Sequence, residues 1–218
     1  DDIIAFTLCD VQNNCQLVSL VNGRFIKIEA LEKLGKKNIQ SHITAHNNQN
    51  VIYFVSDREG GFGGLDIWLS VIDINGNFGV PINAGSRINS SADEITPFYN
   101  HFETQLYFSS NRKKGRGGFD IYKSMYTPTG WSEQENLGDS INTDFWESSP
   151  AISPDKRVIY FSSNRPGGYG GADLYVGYLK PNGRWTEAVN MGPSVNTAGD
   201  ELAPFIHADN QTLYFTSD

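Results

Sequence analysis

One segment recurs along the chain, and its spacing constrains the fold more than any other feature of the sequence. It reads YFVSDREGGFGGLDIW from Tyr53, YFSSNRKKGRGGFDIY from Tyr107 and YFSSNRPGGYGGADLY from Tyr160, and it begins again as YFTSD at Tyr214. The Tyr-Phe pairs are therefore 54, 53 and 54 residues apart. Such a regular period indicates a series of repeated supersecondary units.

Each repeat contains four segments with the character of β-strands. Strand b ends near the Tyr-Phe pair, and strand c is the Asp-Ile-Tyr segment that follows the glycine-rich loop. A turn such as Asn75-Gly76, which tolerates positive φ, leads to a short strand d that we expect to start at Phe78, Trp131 and Trp185. A linker and a proline-containing strand a follow. Four antiparallel strands at this period are typical of a β-propeller blade, whereas β-solenoid rungs are shorter and lack these hairpins.

The repeats predict an all-β protein, a β-propeller domain or a segment of one, over residues 1–218. Residues 1–50 are a degenerate blade, 51–104, 105–157 and 158–211 are regular repeats, and 212–218 begin the next repeat. The 22 glycines, 13 Phe and 10 Tyr agree with an all-β fold. Four blades is the low end for propellers, so we expect blades beyond one or both ends.

Charge and hydropathy disfavour two classes of partner. The formal net charge is −8, whereas a surface for nucleic acid or anionic membrane needs clustered Lys and Arg. The basic run from Arg112 to Arg116 lies in a loop whose sister loops are not basic. No stretch approaches the roughly 20 apolar residues of a membrane span, so direct membrane insertion is not expected. No signal peptide is visible, and the chain opens in mid-repeat, as a mature or excised segment would.

The two cysteines, Cys9 and Cys15, flank the turn of a shortened hairpin in the degenerate repeat. Residues that face each other across two strands have Cβ atoms within about 5.5 Å, close enough for a disulfide. We therefore predict a Cys9–Cys15 disulfide, worth roughly 2 kcal/mol, and an oxidising compartment. The alternative is two free thiols in a cytosolic protein. A zinc site is not expected, because no second Cys/His pair lies nearby to complete tetrahedral coordination.

The third repeat carries a family resemblance. The segment SPAISPDKRVIYFSSNRPGGYGGADLY, from Ser149 to Tyr175, resembles the WD-like propeller repeat of the TolB type. It is similar to the form found in large envelope proteins of Gram-negative bacteria, where the propeller often precedes an OmpA-like peptidoglycan-binding domain. The resemblance is strong over residues 51–218 and weak over residues 1–50. It implies a periplasmic or outer-membrane-associated protein whose partners are other envelope or secretion-machinery proteins, with peptidoglycan bound by a domain outside this segment.

Three polar positions recur and are the first candidates for a site. An Arg follows strand b, an Asp opens strand c and a Glu opens strand a. The residues are Arg58, Arg112 and Arg165, Asp66, Asp120 and Asp173, and Glu94, Glu147 and Glu201. The chain direction predicts that all of them gather on one face, either as a polar rim that binds a glycan or peptide or as bonds that lock each hairpin and tie neighbouring blades. Repetition favours the second interpretation, because a catalytic site needs a unique set of residues.

The residue between the two glycine pairs of the loop differs from repeat to repeat. It is Phe62, Arg116 or Tyr169, and a large, variable residue at a loop tip is a good candidate for partner contact. The alternative is that these side chains fold back onto the blade. The glycines permit positive φ in a tight hairpin, but no helix or Gly-Lys-Ser/Thr ending follows to make a phosphate-binding loop.

No catalytic residue, metal site or cofactor is predicted. His46 and His207 share one position of the repeat and His101 falls one residue later, so these histidines are expected one per blade at the a–b turn. The sequence contains no Gly-x-Ser-x-Gly, His-Glu-x-x-His or EF-hand motif.

Three functions remain open from the sequence. The first is a non-catalytic binding or scaffold module. The second is a glycan-active enzyme or the propeller of a hydrolase, which would need paired carboxylates about 5–10 Å apart, as Asp93-Glu94, Asp200-Glu201 and Asp144 could supply. The third is a sensor of glycans or peptidoglycan fragments that uses the loop tips. Because propellers host all of these functions, the resemblance is specific for the fold and loose for the function.

Overall fold

The structure is a computed structural model that describes residues 4–9, 15–21, 24–27, 38–46 and 49–218. Within these residues the chain forms eighteen β-strands and no helix, so none of the described segments is a candidate for a membrane-spanning helix. The chain divides into two compact units. One comprises Asp1–Leu106 with Met125–Glu133, and the other comprises Tyr107–Ser124 with Gln134–Asp218.

The strands form successive sheets in which neighbours along the chain are neighbours in the sheet. The first sheet contains β1 (Ile4–Cys9), β2 (Cys15–Val21) and β3 (Arg24–Lys27). The second contains β4 (Asn38–His46), β5 (Gln49–Ser56), β6 (Asp66–Ile72) and β7 (Ile82–Asn83). The third contains β8 (Glu94–Asn100), β9 (Gln105–Ser110), β10 (Asp120–Thr127) and β11 (Gly130–Trp131), with β12 (Glu135–Asn136) also paired to β10. The fourth contains β13 (Glu147–Ile152), β14 (Val158–Ser163), β15 (Asp173–Tyr178) and β16 (Val189–Asn190), and β17 (Glu201–Ile206) pairs with β18 (Leu213–Ser217).

The predicted all-β class and the four-stranded antiparallel sheet in the order a-b-c-d are confirmed. The second, third and fourth sheets start at strand a (β4, β8 or β13), so they are offset by one strand from the Tyr-Phe repeat. In these three sheets strand b (β5, β9 or β14) lies inside the sheet, and it is buried along most of its length. In β5, for example, every residue from Val51 to Ser56 is buried, which requires apolar packing on both faces of the sheet.

The predicted position of strand d is confirmed in one repeat, where Trp131 pairs with Tyr126 in β11, and only in part in the other two. Phe78 and Trp185 form only single bridges, to Ile72 and Leu179, and the paired strands β7 and β16 lie further along the chain. Between each bridge and the paired strand that follows it, the pairing is interrupted because some backbone N–H groups do not bond to strand c. Pro81 lacks an N–H, and the N–H of Ala188 donates instead to the carbonyl of Ser140 in the preceding linker, at 3.0 Å.

Strand a carries a bulge before its proline. Thr96, Ser149 and Ala203 have φ of about 50° and precede Pro97, Pro150 and Pro204. In β13 the register shifts between Ser148 and Ala151, and in β17 it shifts between Leu202 and Phe205. A bulge combined with a proline interrupts the ladder of an edge strand, which protects it from pairing with another chain.

The predicted disulfide falls on the first hairpin. The backbone places Cys9 directly opposite Cys15 at the end of the β1–β2 ladder. The side chains of both cysteines lie outside what the structure describes, so the bond itself stays a prediction.

A core substitution tests the packing of the fourth sheet. Phe161 is fully buried, with its ring centroid 6.0 Å from that of Tyr175. We expect Phe161→Ala to lower the free energy of unfolding by about 3–5 kcal/mol, because it leaves a cavity in the buried core of the sheet. Tyr178→Ala, at an exposed position of the same sheet, should change it by less than about 0.5 kcal/mol. Urea denaturation of both variants measures the difference, and similar losses in the two would contradict this packing.

Candidate functional site

The recurring aspartate holds the tip of the glycine-rich loop. In each repeat one carboxylate oxygen accepts a hydrogen bond from the backbone N–H of the tip residue. The bonds run from Phe62 to Asp66 at 2.5 Å, from Arg116 to Asp120 at 2.5 Å and from Tyr169 to Asp173 at 2.7 Å. All three aspartates are buried. The backbone of the tip is therefore fixed in the same way in every repeat, whatever side chain it carries.

Burial also affects the charge of these aspartates. Burial raises the pKa of Asp120, and the nearby Glu147 carboxylate raises it further, while the bond from the Arg116 N–H opposes the shift. The Oδ1 atoms of Asp120 and Asp173 are buried and accept no hydrogen bond from the described residues. Leaving such an oxygen unbonded costs free energy, which the bonds at the other oxygen offset.

The loop lies directly against the backbone of the d–a linker, and this contact requires glycine. A Cβ atom on Gly63, Gly117 or Gly170 would come within 2.0, 2.1 or 2.3 Å of a linker carbonyl oxygen. Real Cβ atoms do not approach an oxygen so closely. The first glycine of the second pair is thus explained by packing rather than by ligand binding.

Two asparagines of the linker were missed by the sequence reasoning. The second of them, Asn89, Asn142 or Asn196, is buried and bonds both backbone groups of one residue in strand c. Asn142 Oδ1 accepts from the N–H of Ile121 at 2.8 Å, and its Nδ2 donates to the carbonyl of Ile121 at 2.9 Å. Its Nδ2 also donates to Oδ1 of the first asparagine, Asn136, at 2.8 Å. The same bonds recur around Asn89 and Asn196.

The first asparagine of the pair connects the linker to the recurring aspartate. Nδ2 of Asn83 and of Asn190 donates to the Oδ2 atoms of Asp66 and Asp173, at 2.9 Å in both cases. A signal for both residues was present in the sequence. The three linkers share the pattern Asn-x-Gly-x-x-Ile/Val-Asn-Ser/Thr, but asparagine is so common in turns that the pattern reads as a loop.

The recurring glutamate closes the linker at its far end. Glu94, Glu147 and Glu201 have no exposed surface, and each accepts both the backbone N–H and the hydroxyl of a Ser or Thr four residues earlier. Glu147 and Glu201 also accept from Ser163 and Ser217 on the following strand b, at 2.8 Å. One carboxylate therefore joins the linker to two strands of the next sheet.

The recurring arginine stacks on two aromatic rings of its own sheet. The guanidinium of Arg165 lies 5.3 Å from the centre of the Phe161 ring and 4.6 Å from that of Tyr175. Its Nε donates to Ser163, and one terminal nitrogen lies 2.6 Å from the Ile141 carbonyl and 3.2 Å from Glu147 Oε1. Arg58 and Arg112 stack in the same way on strands b and c. Burial lowers the pKa of Arg58 to about 10, against the attraction of Asp57.

The tip residues differ from this repeated frame. Phe62 and Tyr169 are 50% and 51% exposed. Arg116 forms an ion pair with Asp139 at 2.7 Å and approaches Asp144 at 3.5 Å, and this pairing raises the pKa of Arg116. Two loops thus present an aromatic ring to solvent, and the third presents a cation that is already neutralised.

The histidines have separate surroundings. His207 lies 3.2 Å from the carboxylate of Asp209, and the ring of His101 packs on Phe102. The side chain of His46 lies outside the described residues. His42 packs on Phe98, with Nε2 3.2 Å from the carbonyl oxygen of Tyr99, and burial lowers its pKa to about 4. Across the part of the chain that the structure describes, no group of His, Cys, Asp and Glu has the arrangement of a metal site.

The carboxylates considered for glycan chemistry have structural bonds. Asp93 and Asp200 accept hydrogen bonds from the backbone N–H groups of Leu65 and Ala172, at 2.8 and 2.7 Å. Their neighbours Glu94 and Glu201 are inaccessible to solvent. Asp144 is exposed and faces Arg116.

Comparison with known proteins identifies the fold. Solved structures match 98% of this chain: a thermostable family-43 glycoside hydrolase (TM-score 0.60, 13% identity, 82% of that chain), TolB from Acinetobacter baumannii (0.57, 13%, 46%) and an endo-arabinase from Bacteroides thetaiotaomicron (0.58, 12%, 92%). The fold is a β-propeller. No family model and no curated protein matches the sequence. At this identity the likeness extends to the fold alone, which enzymes and TolB share.

The linker asparagine can be tested by substitution. Asn142→Ala removes the acceptor of the buried Ile121 N–H, and an unsatisfied buried donor costs about 1–3 kcal/mol, so we expect a loss of that size in the free energy of unfolding. Hydrogen exchange of the Ile121 amide should accelerate as well. Asn182→Ala, in an exposed turn, is the matched control. Unchanged exchange at Ile121 in Asn142→Ala would show that this bond is dispensable.

The half-buried His42 predicts an acid-sensitive stability. Because the folded pKa of about 4 lies below the unfolded value near 6.5, the unfolded chain binds the proton more readily. Stability contributed by neutral His42 is complete above about pH 6.5 and is lost as the pH falls toward about 4, at up to about 1.4 kcal/mol per pH unit. In His42→Phe this part of the pH dependence should disappear. Denaturation curves of the two proteins between these pH values measure it, and parallel pH profiles would refute the assignment.

Proposed function

We propose that the chain is a non-catalytic β-propeller module that binds other proteins through the tips of its b–c loops. One observation carries the proposal. The backbone of every loop is held by the same Asp bond and the same glycine contact, whereas the side chain at the tip changes and extends into solvent. A surface built in this way keeps its scaffold constant while the contact residues vary.

The tips suit protein recognition in their chemistry. Aromatic side chains bury a large area with few rotatable bonds, and they are enriched among residues that dominate binding energy. The backbones of the two loops that carry Phe62 and Tyr169 are already fixed before a partner binds. Little conformational entropy is therefore lost on binding, which favours affinity.

The polar repeats support a non-catalytic function. A retaining or inverting glycosidase needs two accessible carboxylates at a defined separation. Glu94, Glu147 and Glu201 are instead buried in equivalent bonds in each repeat. Turnover of arabinan or of aryl glycosides by the purified chain, above the rate of a heat-treated sample, would favour an enzyme instead.

We further propose an exported protein, periplasmic or associated with the outer membrane, whose partners belong to the cell envelope or to a secretion machinery. The resemblance of the repeat around Tyr160 to envelope propellers and the predicted Cys9–Cys15 disulfide support this placement. Peptidoglycan anchoring by an OmpA-like domain outside this segment belongs to the same proposal.

The tips can be tested directly. The chain is immobilised and exposed to a Gram-negative envelope extract, and captured proteins are compared between the unchanged chain and the double variant Phe62→Ala/Tyr169→Ala. We expect the double variant to lose at least one stably captured protein, because it removes two exposed rings without touching the loop backbone.

Tyr178→Ala is the control, because it removes an equally exposed ring from a strand rather than from a loop tip. Its set of captured proteins should equal that of the unchanged chain. Identical capture by all three proteins would remove the loop tips from the function.

A further inference from the structure

A cleft of about 650 Å³ lies in the unit formed by Asp1–Leu106 and Met125–Glu133. It is lined by linker residues 84–87 on one side and by Thr127, Thr129, Trp131 and Ser132 on the other. None of these residues belongs to the loop tips or to the recurring Arg, Asp and Glu positions. Its volume is within the range of small-ligand pockets, and the cleft is open to solvent rather than enclosed.

Trp131 is the aromatic residue of the cleft, and its ring is held from several sides. The rings of Tyr53, Tyr99 and Tyr126 pack against it at centroid distances of 6.4, 6.2 and 5.0 Å, all close to perpendicular. Trp131 nevertheless remains only half-buried. It therefore offers a rigid aromatic surface, which loses little entropy when a ligand stacks on it.

The rest of the lining is polar and nearly neutral. Ser86 and Thr129 supply hydroxyls that can both donate and accept hydrogen bonds, whereas the hydroxyls of Thr127 and Ser132 donate to the backbone carbonyls of Gly130 and Glu133. Arg87 forms an ion pair with Glu133, which joins the two sides of the cleft. Both partners are largely exposed, so the pair is weak and can rearrange.

This combination selects among ligand classes. Ala84 is the sole aliphatic side chain of the lining, which is too few for a lipid or another apolar ligand. The single cation is paired and the chain carries a net charge of −8, which disfavours phosphate groups. A sugar ring has an apolar C–H face that matches an indole and a rim of hydroxyls that matches the serines and threonines. We propose that the Trp131 cleft is a binding site for a neutral oligosaccharide, separate from the loop tips.

The next repeat shows why this cleft differs from its counterpart. The equivalent cleft, of about 440 Å³, is lined by residues 135–140, Lys123, Gly183, Arg184 and Trp185. Trp185 is only 7% exposed, whereas Trp131 is half-buried. The first cleft is thus larger and has the more accessible indole, so the assignment is to Trp131.

Titration calorimetry of the 218-residue chain with arabinotriose, cellotriose and tri-N-acetylchitotriose tests the proposal. We expect saturable binding of at least one trisaccharide. Ser86→Phe, which fills the cleft from an exposed position, should weaken that binding at least tenfold. Ser194→Phe places the same side chain at an exposed position of the third linker and should leave the binding unchanged.

Trp131→Ala removes a ring that also packs on three tyrosines, so a loss of binding in that variant alone would not separate stacking from misfolding. The shift of the Trp131 indole N–H signal in the NMR spectrum of the unchanged chain provides a second readout, and it should move on titration. Absence of saturable binding with all three sugars, or equal binding in Ser86→Phe, would overturn the proposal.

Discussion

The arrangement of each repeat depends on one buried asparagine whose side chain forms hydrogen bonds with the backbone of strand c. Strand d pairs with strand c over only two residues in β7, β12 and β16, and beside them the carbonyls of Ile67, Ile121 and Leu174 accept from the linker backbone while their N–H groups have no ladder partner. The amide of Asn89, Asn142 or Asn196 supplies both a donor and an acceptor to these residues. A buried backbone N–H without a partner costs free energy, and this bond removes the cost while fixing the linker against the sheet.

The other polar contacts follow from the position of the linker. Once the linker lies along strand c, its carbonyl groups approach Gly63, Gly117 and Gly170 so closely that no side chain fits. Its last residue, the glutamate, is then placed to accept bonds from the next sheet, as Glu147 does from Ser163 and Arg165. Most recurring polar residues therefore serve the connection between sheets, whereas the loop tips and the lining of the Trp131 cleft differ from repeat to repeat.

The sequence predicted the elements well where a strong local signal exists. Three signals were sufficient to predict strands a, b and c and the propeller class. They are the spacing of the Tyr-Phe pairs, the Asn-Gly turns and the recurring apolar segments. Strand d was predicted correctly at Trp131 but only in part at Phe78 and Trp185. After these two residues the pairing is interrupted, because Pro81 has no N–H and the N–H of Ala188 donates to the linker. Asn142 was missed because its role is set by Ile121, which lies far away in the chain.

By itself the sequence determined the period, the all-β class and the order of strands within a sheet, because these depend on local propensity and on the spacing between repeats. Tertiary structure alone decided which of the residues at equivalent repeat positions are exposed to solvent. Trp131 and Trp185 occupy the same place in successive repeats, yet one lines an open cleft and the other is nearly buried. No local pattern reports this difference, because the rings that pack on Trp131, such as those of Tyr53 and Tyr99, belong to residues that are distant from it in the sequence.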